Sequence, residues 1–190
     1  MFPLRKRLVL ASKSPRRQQL LQEMGFEFEV RTKDVEEIFP SSIPVDQVAT
    51  YLAALKADAF AGTLGDDELL ITSDTVVVNN GQVLGKPADR DEAYEMIEAM
   101  SGKEHEVYTG VCLMGNEKKV TFSDVTKVRF HQLTASEIDY YIDQYKPFDK
   151  AGAYGIQEWI GLIGISAIEG TYFNVMGLPT DKLYQQLKTF

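Results

Sequence analysis

Arg7-Leu8-Val9-Leu10-Ala11-Ser12-Lys13-Ser14-Pro15-Arg16-Arg17 reads as a strand, a tight turn and the first turn of a helix. Arg7 to Ala11 is apolar and bounded by polar residues, the pattern of a short buried strand. A helix is predicted from Pro15 to Met24. Ser14 suits its N-cap, Pro15 its first helical position and Gly25 the position just past its end. A helix N-terminus offers unpaired N–H groups and a partial positive charge. Two serine hydroxyls and two guanidiniums at that point make an anion site, most naturally for phosphate. The alternative is an ordinary capped helix with solvated arginines.

Working outward, Phe26 to Arg31 alternates apolar and charged residues, which predicts a half-buried strand with Phe26, Phe28 and Val30 inward. Asp34 to Pro44 is an acidic, proline-containing loop. Val45 to Ala61 is a helix with Val45, Val48, Ala49, Leu52, Leu55 and Ala59 on one face. Lys56 shares that face, either snorkelling at its margin or pointing into a cleft. Leu69 to Thr72 is a strand leading into Ser73-Asp74-Thr75, and Val76 to Val78 continues it. Asn79-Asn80-Gly81 signals a hairpin turn before Val83 and Leu84. Asp89 to Met100 is a helix with Ala93, Met96, Ile97 and Met100 inward. Glu104 to Phe130 reads as two or three antiparallel strands joined at Gly115-Asn116. Thr134 to Glu137 is a capping box opening a helix to about Tyr145. Asp149 to Gly164, rich in glycine, suggests a binding loop more than a core element. Ile165–Ile168 and Phe173–Met176 are strand candidates, and Pro179–Leu187 is a closing helix. Helices interleaved with strands predict a mixed α/β fold around one central sheet.

The bulk numbers bound the function. At 190 residues the chain is expected to be one domain, 1–190, with room for two lobes. Hydrophobic content of 44% and charged content of 25% are ordinary for a globular protein. A net charge of −8 argues against broad nucleic-acid binding, which wants a basic face. A small anionic ligand needs only local positive charge or a metal. No apolar run reaches the roughly 20 residues of a membrane span. The apolar stretch after the basic N-terminus is too short for a secretory signal. The expectation is therefore a cytoplasmic protein without membrane partners. The single cysteine, Cys112, fits a reducing compartment and reads as a core residue. His105 and His131 fall in no metal-ligand pattern and read as structural or surface residues.

Asp74, expected at the C-terminal end of a buried strand, stands where ligands gather in open α/β sheets. It either holds a divalent ion or acts as a general base, or it simply caps its own turn. Thr75 beside it carries a hydroxyl. Lys86, pinned between Gly85 and Pro87, is either a phosphate contact or a solvated hairpin lysine. Glu36 and Glu37 are candidate metal ligands or part of an exposed acidic loop. Together these residues fit a polyphosphate. Arg16, Arg17, Lys56 and Lys86 supply positive charge, and carboxylates at Asp74 and Glu36 supply ligands for a divalent ion. No Walker-type loop and no dinucleotide fingerprint are present.

Five motifs occur in order: Ser12–Arg17, Ser73-Asp74-Thr75-Val76, Gly85-Lys86-Pro87, Asp149-Lys150-Ala151-Gly152-Ala153-Tyr154-Gly155-Ile156-Gln157 and Asn174-Val175-Met176-Gly177-Leu178-Pro179. From about Leu8 to Leu187 the chain closely resembles the Maf family of nucleoside triphosphate pyrophosphatases. The resemblance implies a mixed α/β fold shared with the inosine triphosphate pyrophosphatase group, its central sheet flanked by helices, with two lobes and a cleft. It implies hydrolysis between the α and β phosphates with Mg²⁺ or Mn²⁺. The family's catalytic aspartate falls on Asp74, with metal contacts at Asp74 and Glu36. Its specificity positions fall on Arg16, Thr75 and Gln157, and its phosphate contacts on Ser12, Arg17, Lys56 and Lys86. A housecleaning role and a homodimer are implied on the same basis.

The intact Ala151–Gln157 stretch resembles the branch acting on dTTP and UTP rather than the one acting on 7-methyl-GTP. A Gln side chain both donates to and accepts from a pyrimidine edge. A mispaired buried group then penalises other bases. One departure stands beside it. Where the family commonly has a glycine after that Gln, this chain has Glu158-Trp159. A glutamate there is expected to alter the loop or the base preference. The competing readings are a pyrophosphatase of the same chemistry preferring purines or 7-methyl-GTP, and a nucleotide-binding regulator of cell division with little catalysis.

Overall fold

A computed structural model describes residues 4–190. Among them, seven strands make one mixed sheet. These are β1 (Arg7–Leu10), β2 (Phe28–Val30), β3 (Glu68–Asn79), β4 (Gln82–Leu84), β5 (Glu104–Met114), β6 (Lys119–Phe130) and β7 (Ile165–Glu169). The hydrogen-bonded order is β2-β1-β3-β5-β6-β7, with β4 on β3. β1 runs parallel to β2 and β3, with Leu8 opposite Phe28 on one side and Leu69 on the other. Parallel neighbours need crossovers. Helix α1 (Pro15–Glu23) joins β1 to β2, and α2 (Val45–Asp58) leads from β2 to β3. Asn80 and Gly81, both at positive φ, turn β3 back into antiparallel β4.

The chain divides into two compact units, Met1–Asp74 with Thr109–Asp124 and Gly177–Phe190, and Thr75–Tyr108 with Val125–Met176. In the first unit α2 buries Val48, Ala49, Leu52, Ala53 and Ala57. These small residues let the helix settle on the sheet. Val9, Ala53, Ala57, Phe60, Leu70, Cys112 and Met114 form one core cluster. Thr72 Oγ1 donates to the Ala53 carbonyl at 2.6 Å, satisfying a buried hydroxyl. Gly110 lies so close to α2 that a Cβ there would sit 2.4 Å from Ala49 backbone atoms. The C-terminal helix α7 (Thr180–Thr189) buries Leu183 and Leu187 and sets Tyr184 against Phe26. The aromatic inward contact expected of β2 is thus made by Phe26, ahead of the strand. Val30 is 44% exposed, because β2 is a three-residue edge strand with too little cover.

In the second unit α3 (Arg90–Met100) buries Ala93, Met96, Ile97 and Met100, and Asp89 caps it by accepting from Glu92 N–H. Helix α4 (Ala135–Tyr145) opens on the expected Thr134–Glu137 capping box. Arg90 pairs with Asp139 at 2.7 Å and Asp143 at 3.0 Å, tying α3 to α4. His105, Phe130 and Tyr154 make mutual edge-on ring contacts with centroids 5.0–5.4 Å apart. Two expectations are corrected here. The Asp149–Gly164 segment is not an open loop, since Gly152 to Ile156 are buried and Trp159–Gly164 is a short helix, α5. Phe173–Met176 is no strand but part of helix α6 (Tyr172–Met176). Thr171 Oγ1 accepts from Asn174 N–H there, and the Asn174 amide donates to the Val107 carbonyl and Thr126 Oγ1. Those hydrogen bonds favour a helical turn over an extended chain.

Candidate active site

In the first unit, the β1–α1 turn is built by Ser12 more than by Ser14. Ser12 is buried, its Oγ accepts from Ser14 N–H at 3.2 Å, and its carbonyl accepts from Gln18 Nε2 at 3.1 Å. Ser14 holds the N-cap position, but its side chain makes no capping hydrogen bond. A serine two residues upstream thus organises the turn. Arg17 is anchored from its back, with Nε donating to the Gly177 carbonyl at 2.8 Å. Ser73 Oγ donates to the same carbonyl at 3.2 Å. Two of the sequence motifs therefore meet on the backbone of a third. Burial pushes the Arg17 pKa down, while the charge of Asp74 opposes that shift. A guanidinium remains a cation under either influence.

Asp74 does not end β3, as the sequence suggested, but lies within a strand that continues to Asn79. It is buried, and Lys56 Nζ donates to its Oδ1. The same ammonium lies 2.8 Å from Glu37 Oε1. The Lys56 side chain is only 16% exposed, so it points inward rather than snorkelling. Its helix, α2, is pressed onto the sheet by small residues, which aims the last turn at β3. The ion pair to Lys56 comes from Glu37, not Glu36, although both glutamates are exposed on the same loop. Both glutamates are legible as candidates, but nothing in an acidic loop tells which of two neighbours reaches Lys56. Arg16 is half-buried one residue before Arg17.

Among the described residues no three metal-ligating side chains come together. Asp74 and Glu37 nonetheless converge on one cation, the Lys56 ammonium. Mg²⁺ is commonly held by one or two carboxylates, with waters and substrate phosphates completing its shell. The donor set fits such an ion.

The second unit holds Thr75, Lys86 and Gln157. Thr75 follows Asp74 along β3 and is half-buried, while Lys86 is exposed after β4. The carbonyl of Gly85 accepts from Gly152 N–H at 2.9 Å, which ties the Lys86 segment to the glycine-rich stretch. Gly152 sits at φ +66°, and a Cβ there would lie 2.8 Å from Val77 Cγ2. That position needs glycine for both reasons. Gln157 follows the buried stretch, and its Oε1 is buried with no hydrogen-bond partner among the described residues. Glu158 turns away from open solvent toward Lys150 and Tyr141. Within each unit the predicted residues are thus placed. The first holds Ser12, Arg16, Arg17, Glu36, Lys56 and Asp74.

The family model for Maf-like proteins matches residues 7–190. A dTTP/UTP pyrophosphatase of Parabacteroides distasonis is 54% identical over 185 residues, covering 97% of this chain and 96% of its own. One from Flavobacterium johnsoniae is 50% identical over 183 residues, covering 96% and 94%. Among solved structures, a HAM1 protein from Coxiella burnetii matches 97% of this chain and 100% of its own, with a TM-score of 0.55 and 16% identity. The Staphylococcus aureus Ham1 protein matches 95% and 100%, with a TM-score of 0.51 and 16% identity. At that identity the likeness speaks to the fold, a central mixed sheet flanked by helices. A family match over nearly the whole chain and relatives at about half identity make the chain a member of the Maf-like protein family.

Proposed function

We propose that this chain hydrolyses dTTP and UTP to the nucleoside monophosphate and pyrophosphate. The observation that carries the reading is the buried Asp74 carboxylate, held by Lys56 beside Glu37 and Arg17. The relatives' names, dTTP/UTP pyrophosphatase, supply the substrate class. Water attacks the α-phosphorus, and the bond from that phosphorus to the α–β bridging oxygen breaks. Pyrophosphate leaves with the bonding electron pair. Asp74 orients the water and accepts its proton. Lys56 and Arg17 meet the negative charge that moves toward the leaving group, with Arg16, Ser12 and Lys86 as further phosphate and substrate contacts. Arg17 needs little reorganisation, because the Gly177 carbonyl already fixes its Nε. A divalent ion, Mg²⁺ or Mn²⁺, would be held by Asp74 with Glu37 or Glu36; it supplies charge neutralisation for the phosphates and a more acidic water.

Base selection follows from Gln157. Its buried Oε1 has no partner among the described residues, so it is suited to accept from the N3–H of uracil or thymine. Cytosine offers an acceptor at that atom and leaves the Gln oxygen unsatisfied. A cytoplasmic location and a homodimer belong to this proposal on the family resemblance alone. The test is pyrophosphate release with Mg²⁺ or Mn²⁺ across dTTP, UTP, CTP, GTP, ATP, ITP and 7-methyl-GTP. Release led by dTTP and UTP is expected. Release led by another base removes the substrate assignment and keeps the chemistry, whereas binding without release removes the enzyme reading.

A further inference from the structure

We propose that Glu158, with Tyr141 and Lys150, is a positioning residue that holds the Gln157 amide in the orientation that selects the base. The proposal rests on the reading of Gln157 as the base-contacting residue. The Glu158 carboxylate is only 18% exposed. Oε1 lies 3.1 Å from Lys150 Nζ, and Oε2 accepts from the Tyr141 hydroxyl. That hydroxyl in turn accepts from Gly155 N–H at 2.9 Å. The Glu158 carboxylate thus ties Lys150, Tyr141 and, through Tyr141, Gly155 to the residue that follows Gln157.

The groups that hold it are themselves fixed. Tyr141 is fully buried in α4, and burial together with the Glu158 charge raises its pKa, which keeps the hydroxyl a proton donor. Lys150 is 8% exposed and shares its charge between Glu158 and Asp149, the latter at 2.7 Å but mostly solvated. Glu158 is therefore its buried partner. The neighbouring tyrosine, Tyr140, packs edge-on against Trp159 with centroids 4.8 Å apart. Adjacent residues of α4 grip adjacent residues of the Glu158-Trp159 pair. The Gln157 amide gains little orientation from hydrogen bonds of its own, since its Oε1 has none among the described residues. Packing must aim it. A Cβ on Gly155 would lie 2.9 Å from both Gln157 Nε2 and Glu158 Cδ, so the amide and the carboxylate lie together against that glycine. Moving the carboxylate opens space into which the amide can turn.

The test compares kcat/KM for UTP and CTP in the full chain, with circular dichroism confirming folding of each variant. Gln157→Ala is expected to collapse the UTP/CTP ratio. Glu158→Gln keeps the side-chain size and removes the charge for Lys150. Tyr141→Phe keeps the Lys150 pair and cuts the link to Gly155. Each is expected to lower the ratio about tenfold, the scale of a small misplacement of a recognition group, with the loss in the KM for UTP. In the Gln157→Ala background neither should lower it further. A wild-type ratio in both Glu158→Gln and Tyr141→Phe, with the ratio collapsed in Gln157→Ala, overturns the clamp and spares Gln157 as base reader. A further loss in the double variant gives Glu158 a direct contact with the base and overturns the positioning role. A wild-type ratio in Gln157→Ala removes the reading on which the proposal stands.

Discussion

Acid should loosen the second unit through one buried imidazole. His105 is 1% exposed, its Nε2 lies 2.8 Å from the Tyr154 hydroxyl, and its Nδ1 has no partner among the described residues. Burial pushes its pKa down from 6.5 to about 4, against a small opposing pull from Glu104. An imidazolium would place a second N–H donor in an apolar pocket and forbid Nε2 from accepting from Tyr154. The folded pKa is below the unfolded one, so the unfolded chain binds more protons between them. Stability is therefore full above pH 6.5 and falls as pH drops toward 4. Two and a half pH units of linkage amount to about 3 kcal/mol, of which about 2 kcal/mol is lost by pH 5. The shifted carboxylates do not confuse this window. Glu68, held down to about 2 by Arg31 and the Gly65 N–H, loses its contribution only below about pH 4.5. The assay is urea unfolding of wild type and His105→Phe at pH 7.5 and pH 5. The variant is expected to be weaker at pH 7.5, because the Tyr154 hydroxyl loses its partner, but about 2 kcal/mol less pH-sensitive. Equal pH dependence in the two proteins would refute the reasoning.

Other outcomes follow from the same contacts. Gly110→Ala should place a Cβ 2.4 Å from the α2 backbone at Ala49, which cannot yield like a side chain; a loss of about 3 kcal/mol or more in urea unfolding is expected. An unchanged denaturation midpoint would show that α2 can move away from β5. Lys56→Met should lower kcat by about 100-fold, since the positive charge that pairs with Asp74 is withdrawn. Steady-state rates at saturating UTP check it, and a change confined to KM would reduce Lys56 to a binding contact.

The strand–turn–helix at Arg7–Arg17, the Asn80-Gly81 hairpin and the capping box at Thr134 were legible because each depends on local chemistry. The inward turn of Lys56 was legible only as one of two possibilities. It is settled by how closely Gly110 and the alanines of α2 let that helix approach the sheet. Local pattern misled where tertiary contacts prevailed. Phe173–Met176 looks like a strand until Thr171 and Asn174 find their hydrogen-bond partners on neighbouring elements. The glycine-rich stretch looks like a loop, yet its glycines are there for close packing on Val77 and beside Gln157. The choice between Glu36 and Glu37 was not legible, because side-chain direction in an irregular loop has no period to read.

The most direct measurement is single-turnover pyrophosphate release by Asp74→Asn, alongside equilibrium binding of UTP. Asparagine fills the same space at Asp74 but neither accepts a proton from water at neutral pH nor carries charge. UTP binding within a few-fold of wild type, with release slowed by about 1,000-fold or more, is the expected result. Near-wild-type release by the variant would contradict the assignment of Asp74 as the group that handles the attacking water.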